Sequence, residues 1–360
     1  MLFVKLGAIG DVVQAAAALM IYRERNPSVT VDWLVGSGQA ELVRSFGVFE
    51  NLIEVSEKKL FTGPLRQRLA TLLQTNLSFL KHGKAYDNIV TAYVDIRYRL
   101  LTVMVMARQR SSFSRHAKRP SPIQHRSRVS EYLRLMAGEE SIAAVDIAGA
   151  TESLGRRVLA APMADDSKHK LSSLPEHYIV LIPGGSKNIL PTDGLRRWPI
   201  SHYRALAESI RVHGYNVVLA GGHGDAWVID DFEGIEYENW IGRTTLHEMV
   251  HLLERADAVI THDTGPLHLS CLTRTPVLAL FGPTPANAVV PFGRPDTAII
   301  QLGNEVSCSP CYDGRRYAQC DCPVCMENIS VQRVEKTLMV LLSKRCDREK
   351  TGQDKYAREG

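Results

Sequence analysis

The stretch Leu2-Phe3-Val4-Lys5-Leu6-Gly7-Ala8-Ile9-Gly10-Asp11-Val12-Val13 decides the fold. A short strand-like run, Leu2 to Leu6, ends in a loop whose two glycines, Gly7 and Gly10, let the chain turn tightly. An alanine-rich helix follows from about Asp11 to Glu24. Strand, glycine turn and helix in succession open a parallel βαβ unit. The same opening recurs far along the chain, where Tyr178–Ile182 runs into Pro183-Gly184-Gly185-Ser186-Lys187.

Working outward from these openings, strands and helices alternate. In the first half, strands are expected over Thr30–Val35, around Leu52–Val55 and over Asn88–Tyr93. Helices are expected near Gln39–Phe46, Leu65–Leu80, Ile96–Ala107 and Arg126–Met136. From about Gly138 to Pro175 small and polar residues break the rhythm, which reads as an edge strand and a linker. Helix Ser201–His213, strand Asn216–Ala220, helix Leu246–Arg255, strand Ala258–Thr261, helix Pro266–Leu272 and strand Val277–Phe281 complete the second half. The expectation is an α/β protein of two doubly wound, Rossmann-like domains facing a central cleft. The first covers 1–165, and the second covers 166–330 with a cysteine-rich segment at 308–325. A helix over 331–345 packs back across the cleft, and 346–360 form a frayed, charged tail. Ligands in such folds sit beyond the carboxyl ends of the strands, so the cleft is the expected site.

The 360 residues suit two domains of ~150 residues each. A 45% hydrophobic and 23% charged composition excludes disordered and fibrous classes. No apolar run approaches the ~18 residues that span a bilayer. The N-terminus does not resemble a signal peptide, so a cytosolic protein is expected, with a peripheral place at the inner membrane left open. The net charge of +4 is unevenly spread: Lys58 to Met136 holds sixteen basic side chains and three acidic ones. That segment should present a positive field to an anionic partner, although scattered solvated charges give the same count.

Three loops carry groups suited to chemistry, each after a strand. Asp11 stands at the mouth of the expected cleft, where it is either a functional carboxylate or a helix cap or first-turn acid. In Gly184-Gly185-Ser186-Lys187, followed by Arg196-Arg197-Trp198-Pro199, backbone N–H groups, a hydroxyl and cations suit a diphosphate. Trp198-Pro199 reads as structural, with Pro near a helix start. Asp263-Thr264-Gly265-Pro266-Leu267-His268 turns a strand into a helix whose N-terminus would face a phosphate. Neither the P-loop nor the dinucleotide fingerprint is present.

Jointly and in this order, these motifs resemble the lipopolysaccharide heptosyltransferase family, glycosyltransferase family 9. Gly10-Asp11-Val12-Val13, Pro183-Gly184-Gly185-Ser186 with Arg197-Trp198-Pro199, Asp263-Thr264-Gly265 with His268, and Phe281-Gly282-Pro283-Thr284 carry the likeness. It spans most of residues 1–300 and is looser over about 56–175. The resemblance implies a GT-B arrangement and a metal-independent, inverting transfer of heptose from ADP-heptose to a lipopolysaccharide inner-core hydroxyl. Asp11 would be the general base. Ser186, Lys187, Arg196, Thr264 and Gly265 would neutralise the departing diphosphate, and Asp263 and His268 would contact the donor, although His268 also fits a buried helix residue. An arginine, Arg196, stands where the family commonly has lysine, changing a point charge into a planar fork. Asp225 is the nearest match to a ribose-binding glutamate, one methylene shorter, which leaves the nucleotide open. The acceptor would be an anionic glycolipid, near Lys59, Arg66, Arg68, Arg97 and Arg99. A protein acceptor or another nucleotide sugar is an alternative, and a basic zinc-knuckle nucleic-acid-binding protein is a remote one.

Five of the seven cysteines lie between Cys308 and Cys325. Cys308-x2-Cys311 and Cys322-x2-Cys325, with Cys320 spare, have the spacing of a four-thiolate structural metal site. Some relatives carry cysteine-bound iron, so zinc and iron both stand. Reduced, partly buried thiols are the other reading.

Overall fold

The computed structural model describes residues 1–113, 126–139, 145–185, 194–291, 294, 296–313 and 317–351. They form two units, each built on its own parallel sheet.

The first unit runs β1 (Leu2–Val4), α1 (Ile9–Arg25), β2 (Asp32–Gly36), α2 (Ala40–Phe46), β3 (Asn51–Val55), α3 (Leu65–His82), β4 (Tyr86–Thr91), α4 (Ile96–Leu100), β5 (Ala107–Ser112), α5 (Arg128–Ala137) and α6 (Ile147–Ala160). Its strand order is β3-β2-β1-β4-β5. The order reverses at β1, the switch point where such sheets leave a crevice for ligands. Leu2, Phe3 and Val4 are fully buried, and Phe3 meets Trp33 and Tyr132 edge-on at 5.7 and 6.1 Å. The alanines of α1, buried from Ala15 to Ala18, let that helix pack closely on α5 and α6.

The second unit runs α7 (Asp165–Leu171), β6 (Tyr178–Ile182), α8 (Ile200–Val212), β7 (Asn216–Gly221), β8 (Glu238–Ile241), α9 (Leu246–Arg255), β9 (Ala258–His262), α10 (Gly265–Ser270), β10 (Val277–Phe281), β11 (Thr297–Gln301), α11 (Val324–Glu327) and α12 (Val331–Thr351). Its order is β11-β10-β9-β6-β7-β8, reversing between β6 and β9.

Three expectations are corrected. The helix expected over Ile96–Ala107 stops at Leu100, and Ala107–Ser112 pairs in parallel with β4 as an edge strand. The supposed edge strand and linker of 138–175 contains α6 and α7. Helix α6 starts where the Asp146 carboxylate accepts from Gly149 N at 2.8 Å, and Arg157 donates to the carbonyls of Phe46 and Gly47. Its Leu154 and Val158 are fully buried, which small and polar neighbours in the sequence concealed. The units divide at Ala161 and Pro162, and residues 287–291 return to the first unit. Helix α12 is part of the second unit's core through Val334, Leu338 and Leu341, and it runs to Thr351, past the expected start of the tail.

Candidate active site

The first group of candidate residues lies at the carboxyl end of β1. Lys5 is fully buried, and its Nζ donates to Asp11 Oδ2 at 2.6 Å. The same ammonium sits 4.6 Å from the centre of the Tyr93 ring. Arg128 of α5 approaches the other carboxylate oxygen at 4.0 Å. Burial pulls the Lys5 amine below its ordinary range, and Asp11 opposes that pull. Burial likewise pushes the Tyr132 phenol up, with the Asp11 charge and a hydrogen bond to it adding to the effect. Ala8, not Asp11, is the N-cap of α1. Asp11 occupies the first turn, held by a cation from the strand beneath, with its side chain 32% exposed. A base needs that combination of a fixed position and an open side.

Glycine at this turn leaves room for the Glu57 carboxylate. A Cβ on Gly7 would meet Glu57 Oε1 at 2.5 Å, and one on Gly36 would strike the same carboxylate. Glu57 is raised above the usual carboxylate range by burial, against the pull of Lys5. It is a member of the site that sequence reading missed, because it comes from the loop after β3.

In the second unit the loops after β6, β7, β9 and β10 lie side by side at one end of the sheet. Asp225 joins two of them: Gly185 N donates to Oδ1 at 2.7 Å and Gly222 N to Oδ2 at 2.8 Å. With 7% exposure and an amide on each oxygen, it braces the glycine loop. Gly185 has φ +88°, and a Cβ there would also press on Thr264, so the β6 loop is moulded against the β9 loop as well.

Around this frame stand two arginines. Arg196 Nη1 pairs with Asp263 Oδ2 at 3.2 Å. Arg197 Nε donates to Gly185 O at 3.0 Å, and its guanidinium stacks over Trp227 at 5.1 Å. One buried nitrogen of Arg197, Nη2, has no hydrogen-bond partner among the described residues. A buried, unmatched guanidinium donor is costly unless a ligand satisfies it. Trp198 is structural as expected, donating to Ile329 O from a fully buried position. Thr264 is the N-cap of α10, but its hydroxyl turns back to His262 O and Thr261, so it makes no cap bond. His268 is buried in α10. His262 was not anticipated. Burial drives its imidazole down to about 3, and Nδ1 lies 3.1 Å from the Tyr203 hydroxyl. Ser186 and Lys187 lie outside the described residues.

The cysteine-rich segment is fastened to the β10 loop. Ser309 Oγ donates to Gly282 O, and the amides of Cys311 and Tyr312 donate to Pro283 O. Tyr317, also unforeseen, reaches Thr284 and feels the charges of both Arg196 and Asp263. Among the described residues no three His, Cys, Asp or Glu side chains gather to hold an ion. Cys325 is buried against Gly282, and burial with its neighbours Cys308, Cys311 and Cys320 pushes its thiol up to about 11. Cys322 donates to Glu327 and Cys320 to the Cys322 carbonyl. A four-thiolate arrangement of Cys308, Cys311, Cys322 and Cys325 is not shown among the described residues. Cys325 is buried, Cys311 is half-buried, and Cys308 and Cys322 are exposed.

Of the basic residues expected near an acceptor, Arg97 is held by Asp95, Arg99 by Phe113 O and Arg68 by Gly63 O, while Lys59 and Arg66 are exposed.

The sequence model of one family, described as Glycosyltransferase family 9 (heptosyltransferase), matches residues 83–320. Lipopolysaccharide heptosyltransferase 1 of Pseudomonas aeruginosa is 24% identical over 95% of this chain and 97% of its own length. Lipooligosaccharide heptosyltransferase 2 of Haemophilus influenzae is 33% identical over 118 residues, which is 31% of this chain and 34% of that protein. The solved structure of E. coli ADP-heptose lipopolysaccharide heptosyltransferase II shares the two-domain GT-B fold, with TM-score 0.69 at 17% identity, covering 96% of this chain and 98% of the other. With the family match spanning well over half of its length, the chain belongs to glycosyltransferase family 9, the heptosyltransferases, and is a transferase.

Proposed function

We propose that this chain transfers heptose from ADP-heptose to a sugar hydroxyl of the lipopolysaccharide inner core, with inversion and with Asp11 as general base. The observation that carries the reading is the one-third-exposed Asp11 carboxylate, fixed by fully buried Lys5 at the switch point of the first sheet.

The chemistry follows from the charges. Asp11 takes the proton from the acceptor hydroxyl as that oxygen attacks the anomeric carbon and the bond to ADP breaks. Lys5 and Arg128 favour the ionised carboxylate, the form that can accept a proton. Negative charge grows on the departing diphosphate. Arg197, with a buried donor to spare, is the cation best placed to meet it, beside Arg196 and the amides of the Gly185 and Gly265 turns. Preorganised donors of this sort need no reorganisation at the moment of transfer. Asp225 acts through the glycine loop, as a positioning residue. No step requires a metal ion on the cysteines.

The test is transfer from ADP-heptose to a heptose-deficient lipopolysaccharide core, comparing wild type with Asp11→Asn. Loss of turnover with donor binding retained supports the assignment. Turnover within threefold of wild type removes Asp11 from the chemistry.

A further inference from the structure

Helix α3 packs on the core through Leu72 and Phe79 but also turns polar groups inward and leaves an apolar face outward. Its inward side carries Thr71, Thr75 and Asn76, all buried, with Phe79 alongside in the core. These polar groups all have partners. Thr71 donates to Gln67 O and Thr75 to Thr71 O, each at 2.8 Å. Asn76 donates to Leu72 O and Leu100 O and accepts from Met104 N, which fastens the helix to the segment after α4. The outward side carries Leu65, Leu69, Leu73, Leu77 and Leu80, 42% to 70% exposed. Their spacing of three and four residues keeps all five on one face.

The segment that Asn76 fastens beside this helix extends the patch. Val103, Met104 and Met106 there are 47% to 66% exposed. Single exposed apolar residues are ordinary, but a contiguous group on one helix and its neighbour marks a contact surface. Lys58, Lys59, Arg66 and Lys81 are exposed in and around the helix and form no ion pair among the described residues. An apolar stripe with a basic border has the chemistry of a surface that lies on a lipid bilayer carrying negative headgroups. No described helix is long and apolar enough to cross a membrane.

We propose that α3 and the segment following α4 form the face by which the first unit docks on an anionic lipid bilayer. The leucines enter the boundary between headgroups and acyl chains, and the cations meet the headgroup charge. The proposal deepens the transferase reading, since a glycolipid acceptor resides at such a surface. Vesicle binding needs neither donor nor acceptor, so the two readings can fail separately.

The experiment uses the full chain and sedimentation with vesicles of phosphatidylglycerol and phosphatidylethanolamine, against vesicles of phosphatidylcholine alone. Wild type is expected to pellet with the anionic vesicles and to be released as salt screens the charges. The triple variant Leu69→Gln/Leu73→Gln/Leu77→Gln should lower partitioning by about tenfold or more. It should also keep its melting temperature and its transfer to a delipidated, water-soluble acceptor, since glutamine is a good helix former at exposed positions. Arg66→Glu/Lys81→Glu should remove the preference for anionic vesicles. Failure of wild type to bind anionic vesicles overturns the proposal, as does partitioning of the triple variant within twofold of wild type. A wild-type dimer by light scattering that becomes monomeric in the triple variant, without vesicle binding, assigns the face to a second copy and also overturns it.

Discussion

Asp11 and Asp225 are the same residue type in corresponding places, each in the first helical turn beyond the carboxyl end of an interior strand, yet their surroundings fit them to different work. Asp11 is held by a buried ammonium at 2.6 Å and keeps about a third of its surface open. Asp225 is 7% exposed and gives each oxygen to a backbone amide. A carboxylate fixed by side-chain cations and left accessible can exchange a proton with a substrate. One consumed by main-chain donors holds a loop in shape. The difference lies in the partners, which come from elsewhere in the chain.

The largest expected effect breaks the first member of the pair. Asp11→Asn should lower kcat by ~10²–10⁴-fold, read in steady-state transfer assays. Because it leaves the Lys5 ammonium buried with a neutral partner, its melting temperature should also fall. Lys5→Met/Asp11→Asn should recover the melting temperature and not the turnover, separating the chemical role from the structural one.

Breaking the second member should give the reverse profile. Asp225→Ala leaves the Gly185 and Gly222 amides unpaired, and each stranded buried donor costs ~1–3 kcal/mol. Denaturant unfolding should show that loss. Steady-state kinetics should show a raised KM for the donor, with kcat reduced far less than in Asp11→Asn.

A finer test leaves Asp11 in place. An opposite charge nearby favours the ionised carboxylate, so removing it lets the group protonate at higher pH. Lys5→Met should therefore move the acidic limb of the kcat profile upward, with Arg128 still present. An unmoved limb would assign Lys5 to packing alone.

An effect confined to acid pH concerns His262, buried at the end of β9. Its imidazole is driven down to about 3 by burial, whereas the unfolded chain binds the proton near 6.5. The stability it supports is complete above pH 6.5 and declines as pH falls toward 3, by at most ~1.4 kcal/mol per pH unit. His262→Gln should flatten that decline in acid melting curves. His251, lowered to about 4 by burial, should keep part of it.

The elements that sequence reading located well are those whose signal is local. β6, β10 and α9 fall on Tyr178–Ile182, Val277–Phe281 and Leu246–Arg255 as expected. Both strands are interior and buried along their whole length. Helix α9 begins with Thr245 and Glu248 capping each other's amides, a signature written within four residues. The missed strands β5, β8 and β11 are all sheet edges, with exposed or half-buried residues and no continuous apolar run. Of the three missed helices, α6 and α7 sit where small and polar residues resemble a linker, and α11 is a single turn in the cysteine-rich segment.

By itself the sequence determined the two parallel α/β units, the loops that carry the ionisable groups and the order of motifs that marks the family. Apolar runs, glycine turns and helix caps act over a few residues, so they can be read without a partner. Only the tertiary structure decided that Asp11 rests on Lys5, that Asp225 is a brace and that Cys325 alone of the cysteine cluster is buried. It also decided that α3 faces its leucines outward. Periodicity puts the leucines on one side of a helix, but which side meets the core depends on polar groups such as Asn76 finding partners 24 and 28 residues away.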